Sequence, residues 1–80
     1  MSIDLYRLAG CPYCRKVEKR LQQLDVDYIT HDVPARKSRR STVQELTGQS
    51  GVPVIVDRDN DIDGMAESDE IVQYLEATYG

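Results

Sequence analysis

An 80-residue chain with a formal net charge of −4, 30 % charged residues, 40 % apolar residues and only two cysteines has room for one small domain, which buries about 60 % of the surface its unfolded form exposes. That composition excludes a disordered segment, and its acidity argues against nucleic acid or an anionic membrane surface as a partner. No stretch approaches the roughly 18 apolar residues of a membrane span, and Met1-Ser2-Ile3-Asp4 lacks the basic segment and apolar run of a leader, so the expectation is a cytoplasmic monomer forming a single domain over residues 1–80.

Ile3 and Leu5 alternate with Asp4 and Tyr6, so residues 2–8 read as a first strand running into Ala9-Gly10. The period then changes: Cys14, Val17, Leu21 and Leu24 recur at helical spacing, and Pro12 suits a first helical position, which predicts a helix over Pro12 to Leu24 with Cys11 as its N-cap. Val26, Tyr28, Ile29 and Val33 mark a second strand over 27–32, closed by Pro34. A second helix is expected over 36–47, with Val43 and Leu46 inward, its basic residues outward and Gly48 as its C-cap. Val52-Pro53-Val54-Ile55-Val56 is the most apolar run. The turn Asp57-Arg58-Asp59-Asn60 follows it and makes a hairpin, with Asp61-Ile62-Asp63 as the second arm. Ser68 is a candidate cap for a last helix whose inner face holds Ile71, Val72, Leu75 and Tyr79. The order β-α-β-α-β-β-α predicts an α/β fold, a four-stranded mixed sheet with helices on both faces. Its first crossover joins parallel strands and its hairpin is antiparallel.

Charge is unevenly spread. Residues 34–40 carry Arg36, Lys37, Arg39 and Arg40 with no acid, whereas 57–70 carry seven acids against Arg58 alone, an asymmetry that orients an anionic ligand toward the basic segment.

The two cysteines, three positions apart, close no useful loop, so they are poor candidates for a structural staple; a close pair in a reducing compartment suggests catalysis or metal. Cys14 is in phase with the apolar face and Cys11 sits one turn earlier at the helix mouth. There, unpaired N–H groups and the dipole favour a thiolate, with Arg15, Lys16 and Arg7 available to add positive potential. A Cys11 thiolate can attack a disulfide, and Cys14 can resolve the mixed disulfide by forming Cys11–Cys14. Two inert cysteines, or a zinc site that His31 alone cannot complete to four ligands, are the alternatives.

Cys11-Pro12-Tyr13-Cys14 resembles the motif of dithiol glutaredoxins in the thioredoxin superfamily; thioredoxins usually carry Trp-Cys-Gly-Pro-Cys. Gly51-Val52-Pro53 and Gly64-Met65-Ala66-Glu67-Ser68 are similar to two further segments of that family, and the likeness covers the whole chain. It implies a thioredoxin-like (glutaredoxin) fold with a cis Val52–Pro53 bond. It also implies a site for glutathione or another low-molecular-weight thiol as cosubstrate, with no bound cofactor and no metal. In that site Tyr13 lines the groove, the Val52 backbone beside Pro53 pairs with the cysteinyl part, Glu67 and Ser68 take the γ-glutamyl end, and Arg40 takes the glycyl carboxylate. Disulfide-containing proteins are the implied macromolecular partners. Leu8, where the family often has Lys or Arg, and Asp63, in place of a glycine, depart from the pattern. An iron-sulfur carrier bridging two protomers through Cys11 and a dedicated electron donor to a reductase are the competing roles. Glu67-Ser68 followed by Ile71 and Tyr74-Leu75 also resembles the N-terminal domain of glutathione transferases; transferase activity itself is the less expected role, because the sequence stops at Gly80 without a second helical domain to bind an electrophile.

Overall fold

Alternation in the first strand decides which face of the sheet is covered first. In the computed structural model, which describes residues 3–80, Ile3 and Leu5 of β1 (Ile3–Arg7) are fully buried. They pack with Val17 and Leu21 of α1 (Pro12–Gln23), Ile55 of β3 (Val54–Asp57), and Ile71 and Leu75 of α3 (Ser68–Tyr79). Each such side chain contributes about 1.5–3 kcal/mol of burial, so α1 and α3 share one face and form the main core.

The sheet runs β2-β1-β3-β4, with β2 (Tyr28–Asp32) parallel to β1, and β3 antiparallel to both β1 and β4 (Ile62–Ala66). On the opposite face α2 (Ser41–Thr47) lies over β4. Contact there is backbone to backbone: a Cβ built on Gly64 would sit 2.7 Å from the Leu46 carbonyl oxygen, so only glycine fits. The expected mixed sheet with helices on both faces is therefore present.

Several boundaries differ from the sequence expectation. Ser2 lies outside the described residues. The helix expected over 36–47 divides into a 3-10 turn, Lys37–Arg39, and α2, because Arg40 adopts φ −90°, ψ 60° and turns its side chain inward; of the basic residues expected outward, Arg40 is instead 4 % exposed. β3 begins after Pro53, and β4 extends through Ala66 instead of stopping at Asp63. Ser68 is the first residue of α3 and not its cap; Glu67 holds the cap position without a side-chain capping bond.

Asp57 is a carboxylate at the end of β3 with 1 % exposure, and it survives burial because three neutral donors meet it. Tyr74 Oη donates at 2.6 Å, Asn60 Nδ2 at 3.0 Å, and Tyr79 Oη also donates. Burial alone would raise the carboxyl, but the bonds from Tyr74, Tyr79 and Asn60 outweigh it and hold Asp57 below its ordinary value; burial and the Asp57 charge push Tyr79 up to about 12. The network ties the C-terminal half of α3 to the β3–β4 turn. Because the folded value lies below the unfolded one, near 3.9, this stabilisation is complete above the unfolded value and is lost as pH falls through the folded one. Asp57→Asn is expected to lose about 1.5–3 kcal/mol at neutral pH and to flatten the decline of stability in acid, as read from denaturant unfolding between pH 2 and 7.

Candidate active site

The site begins with a turn too tight for most residues. Gly10 takes φ 83°, which lets the chain fold back after β1 so that the Cys11 N–H donates to the Leu8 carbonyl at 3.1 Å. Cys11 is then extended, φ −76°, ψ 119°, and is the N-cap of α1; its carbonyl accepts from the Arg15 N–H at 3.1 Å. Pro12 has no N–H to offer. The first free amides are those of Tyr13 and Cys14, and no capping side chain competes for them.

Those amides act on the Cys11 sulfur. Partial burial alone would raise the Cys11 thiol, but the Cys14 N–H, the Cys14 thiol, the Tyr13 N–H and the charge of Arg40 together bring it below its ordinary value. The second sulfur goes the other way. Cys14 is 1 % exposed, and burial, with its bond to Cys11 and the negative charges of Cys11 and Glu18, pushes it up to about 11. Both cysteines are free thiols, so the pair consists of a partly accessible, ionisable sulfur and a buried, protonated one in contact with it.

Two of the three cations expected to help from nearby sequence positions are otherwise engaged. Arg7 bridges Glu18 at 3.3 Å and Asp32 at 3.0 Å, the latter contact off line for a hydrogen bond. Lys16 pairs with Asp69. Arg40, 29 positions beyond Cys11, is the cation whose charge lowers it.

Five residues singled out from the sequence come together. Tyr13, Val52, Pro53, Glu67 and Ser68 line one cleft of about 270 Å³, with Asp69 as a sixth member. Tyr13 is 64 % exposed, and the Val52–Pro53 bond is cis. Glu67 has φ 73°, ψ 113°, a conformation nearly confined to glycine that costs about 1–3 kcal/mol and collects at functional sites. Arg40 is not in this cleft. Its Nε, Nη1 and Nη2 each donate to a backbone carbonyl, of Pro34, Ser50 and Ala35, which leaves two of its five N–H groups for other partners. Asp69's place in the cleft and its pairing with Lys16 were missed: the two residues are 53 positions apart, and nothing local links them.

Among the described residues no group of His, Cys, Asp and Glu is arranged to hold a metal ion, and no helix is long and apolar enough to cross a membrane.

Residues 5–80 match the family described as glutathione S-transferase, N-terminal domain. The chain is 33 % identical over 73 residues to an uncharacterized glutaredoxin-like 8.6 kDa protein in the rubredoxin operon of Clostridium pasteurianum, covering 89 % of this chain and 97 % of that protein. A glutathione S-transferase from the Antarctic clam Laternula elliptica is similar in structure, with TM-score 0.82 and 30 % identity over 99 % of this chain and 36 % of its own. Glutaredoxin 2 from Salmonella typhimurium, solved in complex with glutathione, shares the fold with TM-score 0.80 and 23 % identity over 94 % of this chain and 33 % of its own. The chain thus spans about a third of the length of these two solved structures.

The asymmetry of the two sulfurs has a direct readout. In the native reduced protein, iodoacetamide at pH 7 should label Cys11 at least about 100-fold faster than Cys14, and Cys14 should become reactive only as pH approaches 11; peptide mapping of the labelled protein checks it. Equal labelling of both positions would contradict the geometry.

Proposed function

Given that the chain belongs to the glutathione S-transferase N-terminal domain family and is a glutaredoxin-like protein of thioredoxin fold, we propose that it is a thiol-disulfide oxidoreductase in which Cys11 attacks and Cys14 resolves. The observation that carries this reading is the division of labour between the sulfurs: one ionisable at a helix mouth, the other protonated behind it.

In the first step the Cys11 thiolate attacks one sulfur of a substrate disulfide, the substrate S–S bond breaks, and the other sulfur leaves with the electron pair. In the second, Cys14 attacks the Cys11 sulfur of the mixed disulfide. The Cys11–Cys14 bond forms, the bound half of the substrate leaves as a thiolate, and the Cys14 proton goes to a released thiolate, so the substrate gains two electrons.

The cleft beside Tyr13 suits a small peptide-like thiol. The start of α3 supplies N–H groups at Ser68 for a carboxylate, while Glu67 and Asp69 favour an ammonium nearby. Glutathione carries both groups at its γ-glutamyl end, and Salmonella glutaredoxin 2 is solved with it. The proposed substrates are therefore mixed disulfides of proteins with a small thiol, and protein disulfides; the Val52 backbone and Tyr13 are assigned to holding the extended ligand.

Two variant sets test this. Cys11→Ser should abolish reduction of both a small mixed disulfide and a protein disulfide, whereas Cys14→Ser should keep the first and lose most of the second; undiminished turnover in Cys11→Ser would discard the mechanism. Glu67→Gly, which removes the carboxylate and suits the backbone conformation, should raise the KM for glutathione about tenfold. It should also leave stability unchanged or increase it by about 1 kcal/mol, since relieved strain outweighs the entropy glycine adds to the unfolded chain. Unchanged KM would remove Glu67 from the site.

A further inference from the structure

With seven residues, α2 is too short to cover its whole face of the sheet; it lies over β4. Alternation along β1 turns Tyr6 to that same face, away from Ile3 and Leu5, and the parallel register sets His31 of β2 beside it. Both side chains stay partly exposed. Their rings stack, with centroids 4.7 Å apart and planes 19° from parallel, and contact between His31 Nε2 and Asp4 Oδ1 at 2.9 Å holds the imidazole in place. Because β2 is an edge strand, His31 is the outer ring of the pair, and 41 % of its side chain is exposed.

This pair forms one wall of a cavity of about 280 Å³. Val33, Pro34 and Val43 give the cavity apolar sides, and Arg39 and Arg40 give it positive charge. Asp32 also lines it, but Arg7 Nε lies 3.0 Å from that carboxylate. Among the described residues no carboxylate comes within ion-pair distance of Arg39 or Arg40. Arginine is almost never fully buried unless it is paired, yet Arg40 is buried. Its bonds to the Pro34, Ala35 and Ser50 carbonyls leave one N–H free on each Nη. Carbonyl dipoles solvate the guanidinium and leave its charge uncompensated, which is costly in a desolvated position. An anion in the cavity removes that cost.

We infer that this cavity is a second ligand site, for a small planar aromatic carboxylate. The ring of such a ligand extends the Tyr6–His31 stack, in the offset arrangement that aromatic faces prefer. Its carboxylate meets Arg39 and the remaining N–H groups of Arg40, and guanidinium suits a carboxylate by shape as well as charge. The volume lies just below the range of about 300–1,000 Å³ usual for small-molecule sites, so one or two fused rings fit and a dinucleotide does not. No residue is shared between the linings of this cavity and of the cleft beside Tyr13. The site is therefore separate from the one proposed for the small thiol, and it does not depend on the redox reading.

A single histidine in the chain makes its ring protons a direct NMR reporter of this site. In the reduced full chain at constant pH, 2-naphthoate should move the His31 signals saturably and to lower frequency, as a stacked ring does. The uncharged analogue 2-naphthalenemethanol should need about tenfold higher concentration for the same response, and acetate, an anion without a ring, should give none. Arg39→Gln, at an exposed position, should raise the half-saturating concentration of 2-naphthoate about tenfold. Glutathione should not displace the probe. An absent or unsaturable response to 2-naphthoate, equal binding of the alcohol, an equal response to acetate, or unchanged half-saturation in Arg39→Gln each overturns the inference. Displacement by glutathione overturns it as well, because the cavity would then be an extension of the thiol site. The function proposal is decided separately, by the cysteine variants.

Discussion

Backbone amides at the start of α1 that no capping side chain satisfies are what the rest of this molecule is arranged around. An ordinary helix start offers Ser, Thr, Asp or Asn to those N–H groups; here the cap position holds Cys11, with Pro12 after it. A thiol is a poor cap and a thiolate a good one, so the helix gains from ionisation of its own N-cap residue. The hydrogen-bonding need of a secondary-structure terminus thereby becomes a chemical property of one sulfur. Cys14 completes the arrangement only because helical periodicity turns it inward, among residues packed for burial. The same helix therefore stabilises a negative charge at one cysteine and disfavours it at the other.

The cleft beside this sulfur is assembled from chain segments far apart in sequence: Tyr13 on α1, the Val52–Pro53 approach to β3, and Glu67 to Asp69 at the start of α3. Their meeting depends on the strand order, which sets β1 and β3 side by side at the centre of the sheet, and on α1 packing against α3 across the shared core. Gly64 contributes at a distance, since only its lack of a side chain lets α2 close on β4. Stability and site geometry are thus coupled through packing, while the strain at Glu67 is held locally at the cleft wall.

The elements with a clean hydrophobic period were legible in the sequence, and those governed by a single polar side chain were not. α1 ends within a residue of its expected limit because Cys14, Val17 and Leu21 all point one way. The segment 36–47 misled because four basic residues read as a solvated helix face, and nothing in composition distinguishes the one arginine that turns inward. Ser68 misled because serine is a common cap, whereas the chain reaches α3 through a left-handed backbone at Glu67, which no propensity argument favours for glutamate. The cleft residues were accessible mainly through the family resemblance; spacing alone located the two cysteines and nothing else of the site.

Two buried ions show why electrostatics at one end of the sheet differs from that at the other. Asp57 is surrounded by hydroxyl and amide donors whose hydrogens all point at it, so its charge is solvated by the protein, far along the chain from either cysteine. Arg40 is likewise solvated by neutral groups, but its partners are carbonyl oxygens fixed in the backbone of two segments that border the site. Neutral dipoles can solvate an ion without cancelling its field, and only a field that reaches a titratable group can alter chemistry. At Asp57 the neighbours that respond are tyrosines, which remain protonated at neutral pH and simply bind more firmly. At Arg40 the group that responds is the Cys11 thiol, which its charge helps to hold below the ordinary value. The two ions are satisfied in the same physical way, and their different consequences follow from the intrinsic acidity of what lies beside them.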